Sequence, residues 1–174
     1  MQFKILLKET KVLFQAAYAA TVTIGFSYLI GLATQLDMLL VAAIPLGSLL
    51  VGLLFWLPPR AQLISWAAVT AWLLSSVYLG SSDLEYFMLI LVFLAAIAGV
   101  FWTPWFLVAI WFIHPLWDMI PRELSDAQHD LPLACLMYDL VVALYLAWRT
   151  RKGFFKGATA AIPNTRGLLA NGAG

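Results

Sequence analysis

Uncharged, mostly apolar runs of about twenty residues recur along this chain, and a run that long crosses the hydrocarbon core of a bilayer as one helix. Backbone N–H and C=O groups find no water there, so such runs must bond internally. Composition agrees: 63% of the 174 residues are hydrophobic and 11% charged, against about 25% charged in a soluble domain. These polar residues are too few to coat a water-facing surface. The predicted fold class is all-α, a polytopic membrane helix bundle with six transmembrane helices.

Charged and turn residues divide the chain into spans at 12–34, 38–57, 62–80, 85–102, 104–120 and 131–148. Gln35 and Asp37 part the first two, and Pro58-Pro59-Arg60 stops the second. Gly80-Ser81-Ser82-Asp83 is a turn cluster. Thr103-Pro104 joins the fourth and fifth, since proline suits the first turn of a helix. Asp130 is a candidate N-cap for the sixth, with Pro132 in its first turn. Lys4 and Lys8 precede the first run as they would in a signal peptide, but the run exceeds the roughly 15 residues of an h-region. It reads as an uncleaved first helix.

Basic residues orient the bundle. Lys4, Lys8, Lys11, Arg60, Arg149, Arg151, Lys152, Lys156 and Arg166 fall on one side. Arg122 alone lies on the other, with Asp37, Asp83, Glu123, Asp126 and Asp130. The positive-inside rule therefore places both termini in the cytoplasm and the chain in the cytoplasmic (inner) membrane. Trp56, Trp66, Trp102, Trp105 and Trp148 fall near the inner boundary, where indole rings favour the headgroup level. Arg149, Arg151, Lys152 and Lys156, interleaved with aromatic residues, are expected to contact anionic lipid headgroups. A plain stop-transfer flank has the same composition. The tail, 157–174, is rich in small residues and shows no helical periodicity.

Several classes are excluded or disfavoured. A net charge of +1 argues against a nucleic-acid partner, and a single cysteine precludes an intrachain disulfide. There is no paired intramembrane histidine for a bis-His haem, no Gly-rich phosphate loop, no HExxH and no GxSxG. No cytosolic lobe is long enough for a nucleotide. Ala43-xxx-Gly47, Ser48-xxx-Gly52 and Ala95-xxx-Gly99 suit close helix packing within the chain. On the first helix Tyr18, Thr21 and Tyr28 share a face able to line a cavity, with Thr23 and Ser27 opposite. Alternatively these hydroxyls bond the helix's own carbonyls.

The chemistry concentrates in two pairs at i,i+4 spacing, His114 with Asp118 and Cys135 with Asp139, each on one helix face. Ionisable groups at membrane depth are costly and therefore functional candidates. Antiparallel fifth and sixth spans set His114 level with Asp139 and Asp118 level with Cys135, in the outer half, with Glu85 at a comparable level. Four readings are open. Asp139 accepts a hydrogen bond from His114, Trp117 or Tyr138 and pins two helices. The cluster handles protons or cations, since histidine titrates across physiological pH. His114, Asp118, Cys135 and Asp139 together supply enough ligands for a divalent metal, at a spacing matching no established zinc motif. Metal-free catalysis is the fourth. Pro115 removes a backbone donor and frees a carbonyl, Cys135 serves equally as a small buried hydrophobe, and His129 in the outer loop can fold over the cluster.

Tyr78 and Glu85, then His114-Pro-Leu-Trp117-Asp118, then Cys135-Leu-Met-Tyr-Asp139 before an aliphatic run, together resemble a family of small bacterial integral membrane proteins of unassigned function. The H-xx-W-D and C-xxx-D elements carry the resemblance, over about 78–149. The family pattern continues with further histidines where this chain has Met119-Ile-Pro-Arg122. If those complete a metal site, this chain lacks it. The resemblance groups His114, Asp118, Cys135 and Asp139 and implies no activity. The expected function is that of a non-enzymatic accessory subunit of a larger membrane assembly. The rival is a small transporter, or a metal-dependent enzyme, working at the cluster.

Overall fold

A computed structural model describes residues 2–75, 83–120 and 131–159. Within them the chain is all-helical: α1 (Gln2–Gln35), α2 (Leu39–Phe55), α3 (Pro59–Val69), α4 (Asp83–Phe101), α5 (Trp105–Asp118) and α6 (Leu131–Arg151). A widened π turn, Thr70–Leu74, prolongs α3. Two helical segments are long and apolar enough to cross a membrane, Leu13–Gln35 in α1 and Leu131–Arg151; α2, α5 and Glu85–Phe101 of α4 are apolar but shorter. The end of the predicted third span, the turn at 80–82, Asp130, His129, the acidic outer loop and the tail beyond 159 lie outside the described residues.

Helix boundaries follow local chemistry. Pro58 caps α3 and Pro59 opens it, three residues ahead of the expected start, because proline's fixed φ is preorganised for a first turn. Pro104 stands at the N-cap of α5. Gln35 ends α1, and Asp37 turns the chain with a left-handed φ of 54°, a conformation aspartate tolerates better than most residues.

Helices α5 and α6 make the most extensive pairing; α6 also packs on α2, α4 on α5, and α1 on α2 and α3. Two small-residue positions explain close approach. A Cβ on Gly47 would sit 3.1 Å from the Tyr138 carbonyl oxygen, and one on Gly99 only 2.5 Å from Leu107 Cγ. These seams are internal, as expected. Ser48 and Gly52 instead face outward.

The C-terminus of α2 is held from three directions. Its last carbonyls lack intrahelical donors, and no glycine follows to close them. Tyr18 Oη donates to Leu53 O at 2.7 Å, Gln62 Nε2 to Leu54 O at 2.6 Å, and an Arg149 Nη to Phe55 O at 3.0 Å. One side chain from each of α1, α3 and α6 thus converges on one helix end. Arg149 adds a positive charge where the helix dipole favours it, and its guanidinium carbon lies 3.7 Å from the Phe154 ring centroid and 4.3 Å from that of Phe55. Arg149, expected among the lipid-headgroup contacts, is half-buried and bonded to the end of α2, while Arg151, Lys152 and Lys156 are exposed.

Trp66 corrects a second expectation. It is fully buried, edge-on to Trp111 with centroids 6.3 Å apart, whereas Trp56, Trp102, Trp105 and Trp148 are exposed. The position is core because α3 turns it towards α5. Trp111 Nε1 donates to Thr70 Oγ1 at 2.8 Å, and that hydroxyl donates to Trp66 O at 2.7 Å, tying α5 to the start of the π turn.

Candidate functional site

The i,i+4 spacing within α5 and the antiparallel run of α6 bring three ionisable side chains together. His114 Nδ1 and Asp139 Oδ2 share a hydrogen bond of 2.6 Å, and Asp118 Oδ2 lies 3.6 Å from the same nitrogen. Exposures are only 3%, 2% and 2% for His114, Asp118 and Asp139, so water screens this cluster little. Of the three donors anticipated for Asp139, His114 makes the bond; Trp117 is half-buried against the core. The buried Tyr138 hydroxyl has no hydrogen-bond partner among the described residues. Pro115 is buried, and α5 remains helical through it.

Cys135 stands one turn before Asp139 on α6 and, with His114, Tyr138 and Asp139, lines a cavity of about 130 Å³. Ser27 from α1 and Leu73 and Leu74 from the π turn complete its other walls, with Ile30 and Leu131. Glu85 is half-buried in the first turn of α4 and does not line this cavity.

Among the described residues, no group of three or more His, Cys, Asp and Glu side chains is arranged to hold a metal ion. Both carboxylates approach the same ring nitrogen, His114 Nδ1.

Of the α1 face expected to line a cavity, only Tyr18 turns inward, onto α2. Thr21 and Tyr28 are exposed, while Thr23 is buried and Ser27 reaches the cavity. The neighbours decide this. Val22 and Phe26 are the core contacts of α1, and they carry Thr23 and Ser27 inward beside them. Thr23 and Ser27 do bond the helix's own carbonyls, to Ala19 O at 2.8 Å and Thr23 O at 3.0 Å, and Ser27 also accepts from Trp72 Nε1 at 2.9 Å. Gln62, Thr70 and Trp111 escaped the sequence reading. A glutamine and a threonine eight positions apart in an apolar run were the available signal, since such residues are rarely buried unless hydrogen-bonded.

The fold and site define a helical bundle with a buried His–Asp–Asp cluster beside a small cavity. Comparison of the chain with protein-family models, curated proteins and solved structures gives no match.

Proposed function

We propose that the chain is a six-span integral membrane protein of the cytoplasmic membrane, both termini inside, serving as an accessory subunit of a larger membrane assembly. In this reading His114 and Asp139 pin α5 to α6. The observation that carries the membrane placement is an inverted polarity. Gln62, Ser65, Thr70, His114, Asp118 and Asp139 are buried, while α4 turns Phe87, Ile90, Leu94, Ile97 and Phe101 outward, each about half exposed. An aqueous fold would invert that arrangement, because contiguous apolar patches of this extent are rare on soluble monomers. The basic-residue asymmetry supports the orientation.

Two measurements test this. In a Cys135→Ser background, single cysteines at Asp37 and Arg60 are exposed to an impermeant maleimide on intact cells. Labelling is expected at 37 and not at 60; the reverse pattern refutes the orientation, and labelling of both or neither refutes the alternating spans. Particles extracted from native membranes are then weighed. A mass made only of copies of this 19.3 kDa chain excludes the accessory role.

A second reading, proton or cation handling, is favoured by the cavity of about 130 Å³ that touches both His114 and Asp139. Flux in liposomes no greater than in empty vesicles removes it.

A further inference from the structure

The inner end of α6 carries two cations that take no part in closing the helix. Arg149 is bonded to the end of α2, but Arg151 and Lys152 are exposed, and no acidic residue follows Asp139 in the sequence. The helix end is closed by backbone alone. Gly153, at a φ of 71°, donates its N–H to Thr150 O, and Phe154 N–H donates to Arg149 O, each at 3.0 Å, the paired bonds of a Schellman motif.

Both cations line a cleft of about 480 Å³ together with Leu144, Ala147 and Trp148, within the roughly 300–1,000 Å³ of small-ligand sites. Spacings of three and four residues put all five on one stripe of α6. The stripe is graded along the helix axis. Leu144 and Trp148 are each about half exposed, and Arg151 and Lys152 follow about one turn beyond the indole. From Leu144 to Arg151 the rise is about 10 Å. The headgroup layer on each side of a bilayer is about 5–7 Å thick, so this length carries a lipid from its first methylenes to its phosphate.

We infer that this stripe seats one anionic phospholipid of the inner leaflet. The Arg151 guanidinium forks onto the phosphate oxygens and Lys152 adds a point charge beside it. Trp148 stands at the glycerol level, and one acyl chain runs along Ala147 and Leu144. Charge decides the occupant. Two cations above an apolar wall match a headgroup of net negative charge, whereas a zwitterionic headgroup brings its own cation to meet them. The inference rests on the membrane placement and orientation proposed above.

The test is native mass spectrometry of the full chain, released from neutral detergent micelles holding equal amounts of phosphatidylglycerol and phosphatidylcholine with the same acyl chains. One phosphatidylglycerol retained per chain, in preference to phosphatidylcholine, is expected. Arg151→Gln and Lys152→Gln should each weaken retention about fivefold, the loss of one near-surface charge. Lys156→Gln should leave it unchanged: attraction to a vesicle counts every exposed charge, but a seated lipid counts only those lining the cleft. Equal retention of the two lipids, an unsaturable series of adducts, or equal losses in all three variants overturns the proposal. Displacement by inorganic phosphate at the lipid's own concentration overturns it too. Micelles have no sidedness, so a reversed maleimide pattern refutes the orientation and leaves this site standing. Failed retention alongside the expected labelling refutes the site alone.

Discussion

Asp118 and Asp139 contact the same imidazole nitrogen, at 3.6 Å and 2.6 Å, which makes their removal non-additive in a predictable direction. Replacing Asp139 by Asn weakens the shorter contact, but Asp118 is already poised one helical turn away and the repulsion between two buried carboxylates is relieved. Interhelical polar pairs in membranes average about 0.6 kcal/mol with a maximum near 1.7, and Asp139→Asn should fall in that range. Asp118→Asn removes the longer contact and should cost less. With both replaced, His114 keeps neither carboxylate while remaining 3% exposed. Losing both carboxylates from a buried imidazole should cost about 1–3 kcal/mol beyond the two single losses.

The double variant should therefore exceed the sum of the singles by about 1–3 kcal/mol, within the coupling seen for residues of one network. Reversible unfolding in mixed micelles, followed by circular dichroism for the four members of the cycle, measures it. Additivity within about 0.5 kcal/mol would refute the shared-imidazole arrangement. Sub-additivity would show that the two carboxylates support each other through some other group.

Gly47→Val should destabilise by about 1–3 kcal/mol through overpacking, because the Tyr138 carbonyl 3.1 Å from the new Cβ belongs to backbone and cannot rotate aside; a neutral result in the same assay would mean α2 and α6 do not meet there. Gly99→Ala drives a methyl to 2.5 Å from Leu107 Cγ and should cost a similar amount. Leu107→Ala added to it should recover more stability than the two separate losses predict. Arg149→Gln should lower stability by about 1–3 kcal/mol, the worth of a hydrogen bond to a charged group, with little change in binding to anionic vesicles. Replacing exposed Arg151, Lys152 and Lys156 by Gln should do the opposite, losing about 1 kcal/mol of vesicle binding per charge.

Helices and the pairing of α5 with α6 were legible because both depend on local, periodic signals: apolar run length, prolines at first turns, and four-residue spacing. His114 meets Asp139 because two antiparallel helices joined by a short loop put equal depths side by side. What escaped depends on which face each helix turns inward. Composition could not choose between the two hydroxyl faces of α1, since Tyr18 bonds across to α2 while Thr23 and Ser27 turn towards the core. Trp66 sits at a boundary by counting along the chain, yet its helix rotates it against Trp111. Arg149 reads as a flank in sequence. Only the placement of Phe55, ninety-four positions earlier, makes it a cap.

Several polar side chains bond across helix boundaries: Tyr18, Gln62 and Arg149 to α2, and Trp111 to Thr70. The buried ones, from Gln62 Nε2 and Trp111 Nε1, satisfy donors that would otherwise be stranded in low dielectric, at a cost above the net worth of the bond. This makes the exceptions informative. Gln62 Oε1 and Trp66 Nε1 are buried without partners among the described residues, but neither residue lines the cavity beside His114. Tyr138 does, and its hydroxyl is likewise unsatisfied there. A phenol kept for packing alone would be served as well by phenylalanine, which carries no polar atom to strand. Its ring already has aromatic neighbours in Phe26 and Trp111, with centroids 5.8 Å away in each case. The stranded hydroxyl is thus a cost that helix packing alone does not repay.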